Sequence, residues 1–285
     1  MSASTPTLEA ATAPPRSSSP PAPPVRRTRR PVPNAVLGTA GLLGFLLLLE
    51  LVPRLGIVNP AYLPPFSEMV RALVTQAGDA VFWEALSATL RGWALGLAIA
   101  LAAGVVVGVV LGSSTFLREA TATTVEFLRP IPSVALIPVV VLLFGSSMTS
   151  TLLLVVYASF WQVLVQVVYG VQDIDPVAHE TARSYRLSTW RRIRTVVWPT
   201  VMPYAMTGFR LAAAVALILE ITGELIIGSP GLGRIIALAQ SAGAVENMYA
   251  LVLVTGLIGV AVNLLARAVE RRALHWHPSI RGAAS

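Results

Sequence analysis

The sequence predicts an all-α membrane protein with six transmembrane helices and one organised cytoplasmic loop between the fourth and fifth, and three observations carry that prediction. Hydrophobic residues fill 55% of the 285 positions and charged residues only 12%, against roughly 45–50% and a quarter in soluble domains. The apolar residues come in runs broken by short polar stretches, with a mean hydropathy of +0.71, which is how a chain built for hydrocarbon distributes its charge. Basic residues, finally, crowd onto alternate loops. An ordinary soluble enzyme is excluded. The absence of cysteine removes a disulfide scaffold, a thiolate zinc site and a cysteine nucleophile. All 21 basic residues are arginine, so neither a P-loop lysine nor a Schiff base is available.

Residues 1–34 hold nine prolines and the cluster Arg26, Arg27, Arg29 and Arg30. Such a stretch cannot bury enough apolar surface to offset its ordering entropy, and it reads as a disordered cytoplasmic tail. A membrane domain follows over 35–275, and 276–285 reads as a second cytoplasmic tail. Each span is judged against the roughly 20 apolar residues that cross a bilayer. The first covers 35–52 and ends with Glu50 near the outer interface; the second covers 86–111 and contains an unbroken apolar run over 94–111. The third is the least regular. Its first part, 117–128, is amphipathic and carries Arg118, Glu119 and Glu126, while 131–144 is apolar but interrupted by Pro132 and Pro138. The whole reads as one kinked span, because neighbouring helices can satisfy the carbonyls that proline frees. The fourth, fifth and sixth spans cover 151–171, 202–227 and 249–265.

Orientation follows from counting. The N-terminal tail, the loops 113–130 and 172–201 and the stretch after residue 265 hold 16 arginines, whereas the alternate loops 53–85, 145–150 and 228–248 hold three. A bias this large places both termini in the cytoplasm. Topology thus accounts for the net charge of +7, and a nucleic-acid partner is not called for.

The loop from Asp173 to Pro203 is too organised for a connector. Asp175 followed by Pro176 is an N-cap and first-turn pair, so a helix should start there and run toward Tyr185. Ser188 can cap a second helix on which Trp190, Ile193 and Val197 share one face, with Pro199 expected to end it. Two amphipathic helices on the cytoplasmic side suit a groove on a soluble partner, or, more simply, a membrane surface.

The order of residues in this loop resembles the signature of ABC importer permeases, Glu-Ala-Ala, three residues, Gly, nine residues, Ile-x-Leu-Pro. Glu180, Ala182 and Pro199 match it; Thr181, Arg186, Val196 and Trp198 stand where Ala, Gly, Ile and Leu are usual. The resemblance implies a coupling helix that fits a cleft on an ATP-binding cassette subunit, formed here by Asp175, Pro176, Glu180, Ala182, Arg186, Trp190, Val196 and Pro199. The family glycine permits a left-handed turn that costs any other residue roughly 1–2 kcal/mol. Either Arg186 absorbs this strain or the turn is built differently. The stretch 128–145 resembles the third span of permeases for nitrate, sulfonates, taurine and bicarbonate. Arg91, Gly96 and Gly108 match the second span, and Glu224 with Gly231, Leu232 and Gly233 match what ends the fifth, so the likeness covers about 36–275.

Ionisable groups at membrane depth are costly, so each calls for an explanation. Arg91 and Arg210 are near span ends and can snorkel. Glu220 and Glu224 are i and i+4 on one helix and share a face. Gln162 and Gln166 lie on adjoining faces of the fourth span. These four are candidate translocation-path or gate residues, the alternative being bonds between packed helices. The glycines at 96, 104, 108 and 112 recur at spacings that favour close helix contact. His179, His275 and His277 form no grouping with carboxylates, so no metal and no cofactor is expected.

The resulting expectation is a non-catalytic inner-membrane permease that moves a small anion such as nitrate, a sulfonate or taurine. The resemblance implies ATP-binding cassette subunits, an extracytoplasmic substrate-binding protein, a second permease copy forming a homodimer, and surrounding lipid. A rival reading is a secondary active transporter with Glu220 and Glu224 as proton carriers. It would show internal repeats and broken helices at matching positions, and no convincing repeat is present. A membrane-embedded enzyme would need a catalytic grouping that the sequence lacks.

Overall fold

A computed structural model describes residues 34–276, and every described element is helical. The tails expected at 1–34 and 276–285, with His277, lie outside the described residues apart from Asn34 and Trp276. The chain divides after Phe45. What is described of the first unit is the opening of α1 (Asn34–Arg54); the second unit holds the core and everything below.

In order come α2 (Phe66–Ala77), α3 (Ala80–Ser113), α4 (Thr115–Leu128), a 3-10 turn at Ser133–Leu136, α5 (Ile137–Phe144) and α6 (Met148–Gln172). Then follow α7 (Pro176–Ser184), α8 (Thr189–Arg192), a π-helical segment at Ile193–Val197, α9 (Trp198–Ile227), α10 (Leu232–Ser241) and α11 (Val245–Ala273). Four helices are long and apolar enough to cross a membrane alone: Val36–Arg54, Ala80–Ser113, Met148–Gln172 and Val245–Ala273. Counting each bent helix pair as one span gives six.

The centre of the molecule is α6 packed between α3 and α9. Glycines of α3 make this possible. A Cβ on Gly96 would stand 2.5 Å from Val155, on Gly104 2.7 Å from Val163, on Gly108 2.8 Å from Val167 and on Gly112 2.7 Å from Val171. Every pair has the same register, so α3 and α6 run parallel, and a side chain at any of these glycines would force them apart. The indole of Trp93 donates to the carbonyl of Ala213 at 3.0 Å and ties α3 to α9.

Three expectations are revised. The third span is not merely kinked: α4 and the segment Ser133–Phe144 diverge by 81°. Two prolines, Pro130 and Pro132, stand at the break, where each removes a backbone donor, while Pro138 sits harmlessly in the first turn of α5. Pro199 does not end the helix begun at Thr189. The π-helical turn just before it shifts the hydrogen-bond register, and Pro199 lies in the first turn of α9, so Thr189–Ile227 is one helical run. The loops 53–85 and 228–248 each contain a helix, α2 and α10. These are too short to fill a hydropathy window, and α2 is also nearly half polar; they are held by burying Met69 and Ala72, and Leu232 and Ile236, partly against α11.

Candidate functional site

In the 173–203 loop, the Asp175 carboxylate accepts from the Val177 amide at 2.8 Å, so α7 begins at the expected N-cap with Pro176 in its first turn. Ser188 caps α8 by accepting from the Arg191 amide at 3.4 Å. The loop is tied to α9 where the Tyr204 hydroxyl donates to Asp173 at 2.8 Å. Within α7 only Ala182 is buried. Glu180 is exposed, as are Val177, Tyr185 and Trp190, each more than two-thirds accessible.

Arg186 settles the question of the turn. Its φ is +53°, the one positive value among described residues other than glycine. The Leu187 amide donates to the Ala182 carbonyl at 3.0 Å and the Arg186 amide to the Arg183 carbonyl at 2.9 Å. That is a Schellman motif with arginine in the left-handed position. Arg186 therefore absorbs the strain, roughly 1–2 kcal/mol, and the turn keeps the geometry that a glycine would give.

The second candidate region lies at the far end of α9. Glu220 and Glu224 are both buried. One oxygen of Glu224 accepts from the Thr89 hydroxyl at 3.0 Å and from the Gly233 amide at 2.9 Å, and Thr89 in turn accepts from the Leu232 amide at 2.9 Å. The first two amides of α10 are thus satisfied by side chains of α9 and α3. Gly231, at φ +155° and ψ −175°, occupies backbone space that is essentially glycine-only, and a Cβ there would run into the Glu224 carboxylate. Beside this network Thr151 and Ser229 share a hydrogen bond of 2.6 Å that links α6 to the segment before α10. Glu220 rests on Gly92 of α3, where any Cβ would collide with its carboxylate. One oxygen of each glutamate is buried without a partner.

The structure brings Glu220 and Glu224 into one cluster. Gln162 and Gln166 stand apart, half-buried where α6 meets Gly208 of α9. Thr151 is level with Gly223, so Gln162 lies 11 residues, about 16 Å, further along α6. Sequence reasoning did not single out Thr89, Thr151 or Ser229. Single hydroxyls in apolar runs carry no pattern, and their partners are 78 to 143 residues away. Among the described residues no three His, Cys, Asp or Glu side chains are grouped as a metal site.

Residues 96–275 match the family described as "Binding-protein-dependent transport system inner membrane component". The chain is 30% identical over 259 residues to the taurine transport system permease protein of Escherichia coli, covering 89% of this chain and 94% of that one. It is 31% identical over 221 residues to the riboflavin transport system permease protein of Chloroflexus aurantiacus, covering 77% and 82%. In fold it is similar to the solved structure of a bacterial ABC transporter involved in the import of the acidic polysaccharide alginate, with a TM-score of 0.60, 15% identity, and 84% of this chain and 96% of that one covered. Nothing in these likenesses supports a stand-alone secondary transporter. The chain belongs to the family of binding-protein-dependent inner-membrane permeases, the non-catalytic membrane subunits of ABC importers, which work with a separate ATPase and a substrate-binding protein.

Proposed function

We propose that this permease passes a small anionic solute, of the taurine, sulfonate, nitrate or bicarbonate class, from its binding protein to the cytoplasm, and that the loop from Asp173 to Pro203 receives the ATPase. Relatives named for taurine, aliphatic sulfonates, nitrate and bicarbonate support the solute class; the riboflavin relative marks its boundary. The observation that carries the docking reading is the α7–α8 turn. Its strained Arg186 joins α7 to α8, whose surroundings expose Val177, Tyr185 and Trp190, aromatic or apolar as a docking surface requires. The arginine count supports cytoplasmic termini, and two copies of the chain would enclose the pathway as a homodimer within lipid. Glu220 and Glu224 serve as gate residues at the outer end of α9, with Gln162 and Gln166 deeper along the path.

The test is Glu180→Lys, in an exposed position outside every span. It should leave membrane insertion intact while transport no longer follows ATP hydrolysis. Normal transport and normal ATPase binding by this variant would reduce the loop to a connector. Uptake of taurine, methanesulfonate, nitrate and riboflavin by the reconstituted importer then decides the solute class, a preference for riboflavin over all three oxyanion-bearing solutes being the result that overturns it.

A further inference from the structure

A groove of about 250 Å³ opens between α4 and α6, with Leu111 near the end of α3 also in its lining. Arg118, Glu126 and Arg129 line its α4 side, and Tyr169 and Gln172 its α6 side. No residue of α4 is buried, and α4 is tied to α6 at its last residue, where the Tyr157 hydroxyl donates to the Leu128 carbonyl at 2.6 Å. Arg118 and Arg129 are 11 residues apart, which puts them on one face of the helical run and about 16 Å apart along it. Neither arginine nor Glu126 forms an ion pair among the described residues. The side chain of Arg118 reaches only the Thr115 hydroxyl, at 3.4 Å.

The parallel register of α3 and α6 fixes where this groove opens. Leu111, Tyr169 and Gln172 are all at the end of the bundle from which the 173–203 loop emerges. Arg118 is therefore at the mouth and Arg129 deeper, at the 81° break where α4 stops. Both arginines fall within 113–130, counted on the cytoplasmic side, and charged groups beside apolar spans face water or protein rather than acyl chains. Two guanidinium groups and one carboxylate leave a net positive site, and guanidinium forks match planar or tetrahedral oxyanions with paired hydrogen bonds. The volume is below the roughly 300–1,000 Å³ of drug-sized sites, which suits a solute of few atoms.

We propose that this groove is the inner station of the translocation path, where Arg129 and then Arg118 meet the oxyanion group of the solute in turn before release. The inference rests on the reading of the chain as a passage for small anions. An anionic lipid headgroup offers the same chemistry, with Val125, Leu164, Val165 and Val168 to receive its chain; the aqueous solute is favoured because Glu126 and Gln172 put polar groups among them that an acyl chain would have to desolvate.

Because the chain has no cysteine, one introduced thiol reports on the groove alone. Ala122→Cys, which places it in the lining, is made in the complete importer in nanodiscs, and labelling is read on the permease chain by mass spectrometry. Two water-soluble methanethiosulfonates are compared, one bearing a sulfonate and one a quaternary ammonium. The sulfonate reagent should react faster, Arg129→Gln should lower the anion-over-cation ratio about fourfold, since one unit charge about 10 Å away in water shifts the two reagents about twofold each in opposite directions, and Arg129→Lys should restore it. Methanesulfonate in solution should slow the labelling. A ratio indifferent to Arg129→Gln overturns the proposal. So does a thiol that ignores both aqueous reagents but reacts with lipid-soluble N-phenylmaleimide, which would give the groove to lipid. ATP hydrolysis stimulated by the binding protein, measured on the same sample, keeps the two readings separate. If it persists while the anion preference is absent, the groove assignment falls and the permease reading stands; if the chain recruits no ATPase, the permease reading falls first.

Discussion

Two helices of this protein begin at a glutamate borrowed from the preceding long helix, and the two caps differ in almost everything else. At α2, Glu50 of α1 accepts from the Ser67 amide at 2.9 Å and from its hydroxyl at 3.0 Å, while Arg54 pairs with the same carboxylate at 2.7 Å. All of these groups are within reach of solvent. At α10, Glu224 of α9 is wholly buried, meets no cation, and is held by Thr89 and the Gly233 amide. A carboxylate at a helix N-terminus is favourable in both places. The difference lies in what is left when it goes. Water replaces Glu50 at once, whereas nothing can replace Glu224, and a buried donor without an acceptor costs more than the bond contributed. The exposed cap orients a helix; the buried cap locks one.

The largest effect should therefore come from Glu224→Ala. It strands the Gly233 amide and the Thr89 hydroxyl and opens a cavity, so we expect a loss of about 3 kcal/mol, read as a fall of several degrees in the unfolding midpoint of the purified protein followed by tryptophan fluorescence. Glu224→Gln keeps an acceptor oxygen toward Gly233 and should recover most of that loss. If Glu224→Gln unfolds as readily as Glu224→Ala, charge rather than hydrogen-bond geometry holds α10. Transport by the two variants separates a lock from a gate. A lock follows stability, so Glu224→Gln transports; a gate that needs the charge loses transport in a stable protein.

Thr89→Val comes next. The substitution keeps the volume but removes both the bond to Glu224 and the acceptor for the Leu232 amide. We expect a loss of about 1–2 kcal/mol, and hydrogen exchange at Leu232 and Gly233 should rise while α3 keeps its protection. Unchanged exchange there would mean that the hydroxyl is dispensable and that Glu224 alone seats the helix.

A third helix end sharpens the contrast from the other side of the membrane domain. Arg186→Gly removes the left-handed penalty at the C-terminus of α7, and the loop should gain up to about 1 kcal/mol of local stability, offset in part by the greater freedom glycine has when unfolded. Slower proteolysis within 173–199 is the readout. If the variant transports as well as the parent, the strain is a passenger; if it is stabler but couples ATP hydrolysis less tightly, Arg186 itself contributes to docking.

These three sites show which parts of the molecule are written locally. The long apolar spans, the Asp175 cap and the α3 glycines are legible because hydropathy, capping and helical spacing are properties of neighbouring residues. Arg186 could be read as a question, since the turn demands a left-handed residue and the sequence supplies an arginine. The buried cap could be read only in part: the resemblance groups Glu224 with Gly231, Leu232 and Gly233, but nothing points to Thr89. Thr89 meets Leu232 across 143 positions, and nothing near either residue announces the other. α2 and α10 escaped for a related reason: each is stabilised by what it packs on, not by its own composition. Pro199 misled because a π-helical turn lets one helical run pass through a proline that would ordinarily stop it.

The smallest effect should be that of Glu50→Ala, and its smallness tests the comparison most directly. Removing the carboxylate leaves the Ser67 amide and hydroxyl facing water, and Arg54 remains solvated with the Ser67 hydroxyl 3.2 Å away. No buried group loses its partner, so the unfolding midpoint should not resolve the change, and high salt, which already screens an exposed ion pair, should abolish any residue of it. Local exchange at Ser67 and Glu68 should still quicken, because the first turn of α2 has lost its acceptor. A midpoint shift as large as that of Glu224→Ala, persisting in high salt, would contradict this account. It would mean that Glu50 is covered in the assembled importer, by a second copy or by the binding protein, and that the two caps differ only when the chain is alone.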